Sequence, residues 1–127
     1  MLKRKATYFT PDLFLNDNEL IITGNLWMED AQKYFEKIHV YTSKSNSTKF
    51  RVVLNVEHLN SSSIKQLLLY FKLLKSLLEN NKFKKVEVLW NVEDDDKDLL
   101  SLVDDLEQIS EIKIELGRLI LNNKINL

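Results

Sequence analysis

Hydrophobic positions along this chain recur at two periods, every second residue in some stretches and every third or fourth in others, and the changes between them mark the elements. Phe50, Val52, Val53 and Leu54 form the β-branched and apolar run of a buried strand. It gives way to His58-Leu59-Asn60-Ser61-Ser62-Ser63, after which Ile64, Leu67, Leu68, Phe71, Leu74 and Leu78 recur at helical spacing with no Gly or Pro before Asn80. That spacing predicts a long helix over 62–80. Projected at about 100° per residue from Ile64, Lys65, Lys72, Lys75, Ser76 and Glu79 share a polar arc that contains one leucine, Leu68, with Leu69 and Leu73 along its edge. Part of this helix therefore carries more apolar surface than a core needs.

The same reading extends in both directions. Residues 7–25 read as extended, with Leu13-Phe14-Leu15 and Leu20-Ile21-Ile22 flanking Asn16-Asp17-Asn18, residues that tolerate left-handed turns, so a hairpin is predicted. Pro11 suits a strand edge or the link before it, and Gly24 and Asn25 close the second strand. From Met28 or Asp30 to Tyr41, the residues Trp27, Ala31, Tyr34, Phe35, Ile38 and Tyr41 are spaced as one face of an amphipathic helix. Residues 42–49 are rich in Ser, Asn, Thr and Lys, which predicts a solvated loop and the most mobile segment. Val86, Val88 and Trp90 alternate as a strand, and Leu99, Leu102, Val103, Leu106 and Ile109 are spaced as a further helical face. Ile112, Ile114 and Leu116 alternate as a last strand. Gly117 opens a tail, 117–127, that no pattern assigns. Strands, then helix, strand, helix, strand, helix and strand, predict an α/β fold with one mixed sheet and about three to four helices.

Size adds one constraint: 127 residues with 44% hydrophobic content form a single domain with one core. Lys plus Arg at 18 against Asp plus Glu at 19 leaves a net charge of −1, without the basic footprint of a general nucleic-acid binder. The absence of cysteine excludes disulfides and thiolate metal sites and fits a cytoplasmic setting. No stretch approaches the roughly 18 unbroken apolar residues of a membrane span, so no membrane partner is expected.

Candidate chemistry concentrates at 58–63. Asn60 and the three serines are N-cap residue types. They set a row of hydroxyls at the positive end of a helix dipole and the carboxyl end of a strand, a position that favours an added anion such as a serine-borne phosphate. On the residues alone, plain capping is the simpler role. Leu69, Leu73, Lys65 and Lys72 lie within a few turns of the serines and are expected, with Asn60, Ser62, Ser63 and His58, to form a docking face. His58 is close enough to the turn to touch a phosphate or a partner. His39 and His58 have no metal-ligand spacing, and Trp27 and Trp90 read as core or core-edge aromatics. Glu93-Asp94-Asp95-Asp96 and Asp98 crowd a helix start; dipole complementarity explains them more simply than Mg2+, which needs converging oxygens. No Gly-rich phosphate loop, G-x-S-x-G elbow or His/Glu metal pattern occurs, and no metal or cofactor is expected. The rival expectation is a small enzyme or ligand-binding domain using a cleft between Ser61 and the acidic 93–98 run.

The turn Leu59-Asn60-Ser61-Ser62-Ser63-Ile64 with its helix, and Val88-Leu89-Trp90-Asn91 followed by an acidic helix, resemble the SiaC family of bacterial regulatory phosphoproteins, which are STAS-like domains. The resemblance runs from about Lys5 to Leu116. The family's Tyr-Pro-Glu-Asn before the first helix corresponds to Trp27-Met28-Glu29-Asp30, where only the glutamate is kept. The resemblance implies that Ser61 is the residue phosphorylated by a cognate protein kinase, leaving Ser62 or Ser63 as the cap. It further implies a PP2C-type phosphatase, a diguanylate cyclase activated by the unmodified form, and a role in biofilm control through cyclic di-GMP without enzymatic activity of its own.

Overall fold

The structure is a computed structural model and describes residues 2–5 and 11–118. Among these, β1 (Leu2–Arg4), β2 (Asp12–Leu15) and β3 (Glu19–Leu26) lead into α1 (Ala31–Ser43). Then follow β4 (Lys49–Leu59), α2 (Ser61–Glu79), β5 (Lys85–Val92), α3 (Lys97–Ser110) and β6 (Ile114–Arg118). The strands form one six-stranded sheet in the order β1-β2-β3-β4-β5-β6. The first three are antiparallel neighbours, and β3 to β6 run parallel. Because each parallel step advances in one direction through a helix, right-handed crossovers put all three helices on one face. In agreement, α1 packs on α2 and α2 on α3. This is the mixed α/β architecture that the alternation of periods predicts.

The core lies between that helical layer and the sheet. Phe50, Val52, Leu54 and Val56 point inward from β4, and Val88, Trp90 and Val92 from β5, against Phe35 and Ile38 of α1 and Leu67, Tyr70, Phe71 and Leu74 of α2. Period-2 burial on the strands meets a helical stripe. Each such side chain contributes about 1.5–3 kcal/mol when fully buried. Trp90 is wholly buried, and its Nε1 donates to the Val56 carbonyl at 3.0 Å, so its one polar atom is satisfied across adjacent strands. Among the described residues, the other face of the sheet carries no helix. There Phe14, Ile21, Val53 and Leu89 stand in register and half-buried.

Several expectations are corrected. β1 was hidden in the charged start Leu2-Lys3-Arg4, too short to display a period, and it forms the sheet edge. The predicted hairpin forms, but β3 continues through Gly24 to Leu26. Gly24 has φ +127, the register shifts beyond it, and a Cβ there would lie 3.2 Å from the Pro11 Cα, so a glycine is needed at this bulge. The 42–49 stretch is anchored: Thr42 and Ser45 are buried, Thr42 Oγ1 shares a hydrogen bond with Tyr70 Oη at 3.0 Å, Ser45 Oγ donates to the Asp17 carbonyl, and the Asn46 N–H donates to Asp17 Oδ1 at 3.0 Å. The two buried hydroxyls are satisfied within the protein, while Ser43, Lys44, Asn46, Thr48 and Lys49 stay exposed as expected. Ile109 and Leu116, read as inward-facing, are exposed at the end of α3 and on the edge strand β6, while Leu68 packs against the core. The tail from 119 onward and the start of the predicted extended stretch, 7–10, lie outside the described residues.

Candidate functional site

Strand β4 delivers the chain to Asn60, whose backbone is still extended (φ −89, ψ 170), and the next residue is already helical. The predicted serine loop is thus a single-residue turn, and Ser61 is the first residue of α2. Asn60, not Ser62 or Ser63, is the cap: its Oδ1 accepts from the Ser63 N–H at 3.1 Å. The same side chain donates through Nδ2 to the Met28 carbonyl at 2.8 Å, and the Asn60 N–H donates to the Leu26 carbonyl at 3.0 Å. Ser62 Oγ donates to that Met28 oxygen as well, at 3.2 Å. Two turns, β4–α2 and β3–α1, are therefore tied at one carbonyl.

The three serines differ in availability. Ser63 is fully buried, and its Oγ has no hydrogen-bond partner. Ser62 is exposed but engaged with Met28. Ser61 is exposed, and among the described residues its hydroxyl makes no hydrogen bond. Asn60 leaves the N–H groups of Ser61 and Ser62 without acceptors, and no acidic residue stands in the first turn of α2. These are the conditions under which an anion at a helix start is stabilised by backbone donors and the macrodipole.

Beyond the turn, Ser62, Lys65, Leu69, Lys72 and Ser76 form one exposed row along α2. Leu69, 42% exposed, stands in the middle of it rather than at its edge. Leu73, beside this row, is half-buried and packs in part against the core. His58 is exposed at the end of β4. His39 is half-buried, with its ring 5.5 Å from that of Tyr70 and a buried Nε2 that has no partner; burial holds its pKa below the usual 6.5.

Two acids of the 93–98 run, expected to share a cleft with Ser61, are engaged locally. Asp96 caps α3 by accepting from the Leu99 N–H at 3.1 Å, and Asp94 pairs with Arg118. The cavity that reaches the serine turn opens on the opposite side, with a volume of ≈ 650 Å3, and is lined by Asn60 together with Arg4, Trp27, Lys33, Tyr34 and Lys37. Trp27, expected in the core or at its edge, is 53% exposed, and Met28 is buried. Burial pushes the Tyr34 hydroxyl up to about 12, only partly offset by the Arg4 guanidinium, which lies 5.5 Å over its ring. The spacing of 27–41 could not reveal this cavity, because its far wall is β1. Among the described residues, no group of three or more His, Asp or Glu side chains is placed to hold a metal, and no helix is long and apolar enough to cross a membrane.

The described residues form a mixed α/β domain whose helices cover one face of the sheet, with an exposed serine hydroxyl at the start of the middle helix. The chain belongs to the SiaC family of regulatory phosphoproteins, whose family model matches residues 4–119. No curated protein sequence matches it significantly. Among solved structures, that of the diguanylate cyclase SiaD in complex with its activator SiaC from Pseudomonas aeruginosa aligns with a TM-score of 0.83 at 16% identity, covering 94% of this chain and 100% of the matched chain. SiaC of Pseudomonas aeruginosa aligns at 0.76 and 16% identity, over 93% and 96% of the two chains, and apo-SiaC of that organism at 0.78 and 17%, over 91% and 97%. At such identities the likeness concerns the fold.

Proposed function

We propose that this protein is a non-enzymatic switch whose partner is chosen by the phosphorylation state of Ser61, with a diguanylate cyclase as its effector target and a cognate kinase and PP2C-type phosphatase setting the state. Membership of a regulatory phosphoprotein family supports the class, and a SiaC–SiaD complex in Pseudomonas aeruginosa supports the type of target. The observation that carries the reading is the contrast among the serines: one hydroxyl of three is both exposed and free, and it stands where backbone donors await an anion.

Phosphate adds about −1.5 to −2 charges at neutral pH. On Ser61 it faces Lys65 one turn along α2 and borders the exposed row through Leu69. A partner that covers this surface in the unmodified state must strip water from the dianion, a cost that Lys65 and the N–H groups of the turn offset only in part. The fold itself is untouched, because the hydroxyl makes no bond that the modification breaks. The test uses protein phosphorylated by the cognate kinase with ATP, titrated against the candidate cyclase by calorimetry beside the unmodified form. The unmodified protein is expected to bind at least about tenfold more tightly, roughly 1.4 kcal/mol. Equal affinities would sink the partner-switch reading even if Ser61 carries phosphate in the cell.

A further inference from the structure

The cavity between β1 and the start of α1 has a composition that the serine turn does not explain. Trp27 is among the few large apolar side chains left exposed, and the backbone beside it is tied down: the next carbonyl, that of Met28, accepts from both Asn60 Nδ2 and Ser62 Oγ. An indole carried on so fixed a turn is a ready stacking platform for a planar ring. Three cations, Arg4, Lys33 and Lys37, line the same space, and none is in a salt bridge among the described residues. Arg4 is oriented by its place over the Tyr34 ring. Of the two acids beside them, Asp30 caps α1, accepting from the Lys33 N–H at 3.1 Å, so the lining sets three positive side chains against the carboxylates of Glu29 and Asp30 and keeps a positive excess. A volume of ≈ 650 Å3 is that of a small-molecule site rather than of an ion or a water cluster.

We infer that this cavity binds a planar aromatic anion with the chemistry of a mononucleotide, its ring on Trp27 and its phosphate among Arg4, Lys33 and Lys37. Asn60 joins the cavity to the turn that carries Ser61, so an occupied cavity borders the phosphorylation site. The inference stands on the cavity alone and holds whether or not Ser61 is modified.

Trp27 supplies the first readout, since Trp90 is wholly buried and its emission stays constant. AMP is expected to quench the Trp27 component saturably at submillimolar concentration, with the same affinity found by calorimetry. Adenosine, which lacks the anion, and inorganic phosphate, which lacks the ring, should each bind at least about tenfold more weakly. The double variant Lys33→Glu, Lys37→Glu changes two exposed side chains, and circular dichroism should leave its fold unchanged while AMP affinity falls at least about tenfold. No saturable binding of AMP up to about 1 mM would overturn the inference, as would equal affinities for AMP and adenosine. Protection of Trp27 by a protein partner with no response to AMP would assign the cavity to a protein interface and overturn it too.

Discussion

Helices α2 and α3 begin at the carboxyl ends of adjacent parallel strands, and a side chain caps each by accepting from the third helical N–H at 3.1 Å. What surrounds the two caps is opposite. At α3 the cap is Asp96, with Glu93, Asp94 and Asp95 before it and Asp98 in the first turn, so the dipole is already met by negative charge. At α2 the cap is a neutral Asn60, the first turn is Ser61-Ser62-Ser63, and no acid is present. One start is complete as encoded. The other keeps its positive potential open and places a free hydroxyl in it, which is the electrostatic setting that a reversible phosphate requires.

The largest expected effect separates the serines. Incubation with the cognate kinase and ATP, followed by peptide mapping, should give no phosphate on the Ser61→Ala variant and near wild-type incorporation on Ser62→Ala. Phosphate persisting on Ser61→Ala would place the site elsewhere. Stability should separate the caps next. Asn60→Ala removes a cap and the Nδ2 bond to the Met28 carbonyl together, at about 2 kcal/mol. Asp96→Ala removes a cap from a helix whose neighbouring acids still complement the dipole, at about 1 kcal/mol. Urea unfolding of the two variants decides between them, and equal losses would mean that the tie to Met28 adds nothing.

The legible part of this molecule is the part governed by period. Strands β2 to β6 and all three helices follow from alternation and from 3–4 spacing, and the serine turn follows from N-cap chemistry. Side-chain partners were not legible. The sequence permits any of Asn60, Ser62 and Ser63 to cap; only the fold brings the Met28 carbonyl against Asn60 and Ser62 and leaves Ser61 alone. The wheel also misjudged which leucines the core takes. The exposed arc of α2 is centred on Leu69, while Leu68 and Leu73 are half-buried against the core of a helix that has neighbours on both flanks. Leu69→Asp should accordingly weaken the partner complex by several-fold, to about tenfold, while circular dichroism and the melting temperature stay close to wild type. Loss of the fold would return the residue to the core.

The smallest effect probes the far end of the α1–α2 contact from the serine turn. The His39 ring lies tilted against that of Tyr70, whose hydroxyl is tied to Thr42, and its buried Nε2 has no hydrogen-bond partner. Burial therefore favours the neutral imidazole and holds its pKa below 6.5 in the folded state. Between that depressed value and 6.5 the unfolded chain binds the proton that the folded chain refuses, so stability rises with pH in this window. The His39 contribution is fully present above about pH 6.5 and is lost as pH falls toward the folded-state pKa. Replacing the ring by Gln removes the titration, so the difference in melting temperature between wild type and His39→Gln should shrink or reverse as pH is lowered through this window. A difference that stays constant from pH 7.5 to pH 5 would show that the imidazole is solvated in the folded protein. The contact between α1 and α2 would then tolerate a charge in its interior.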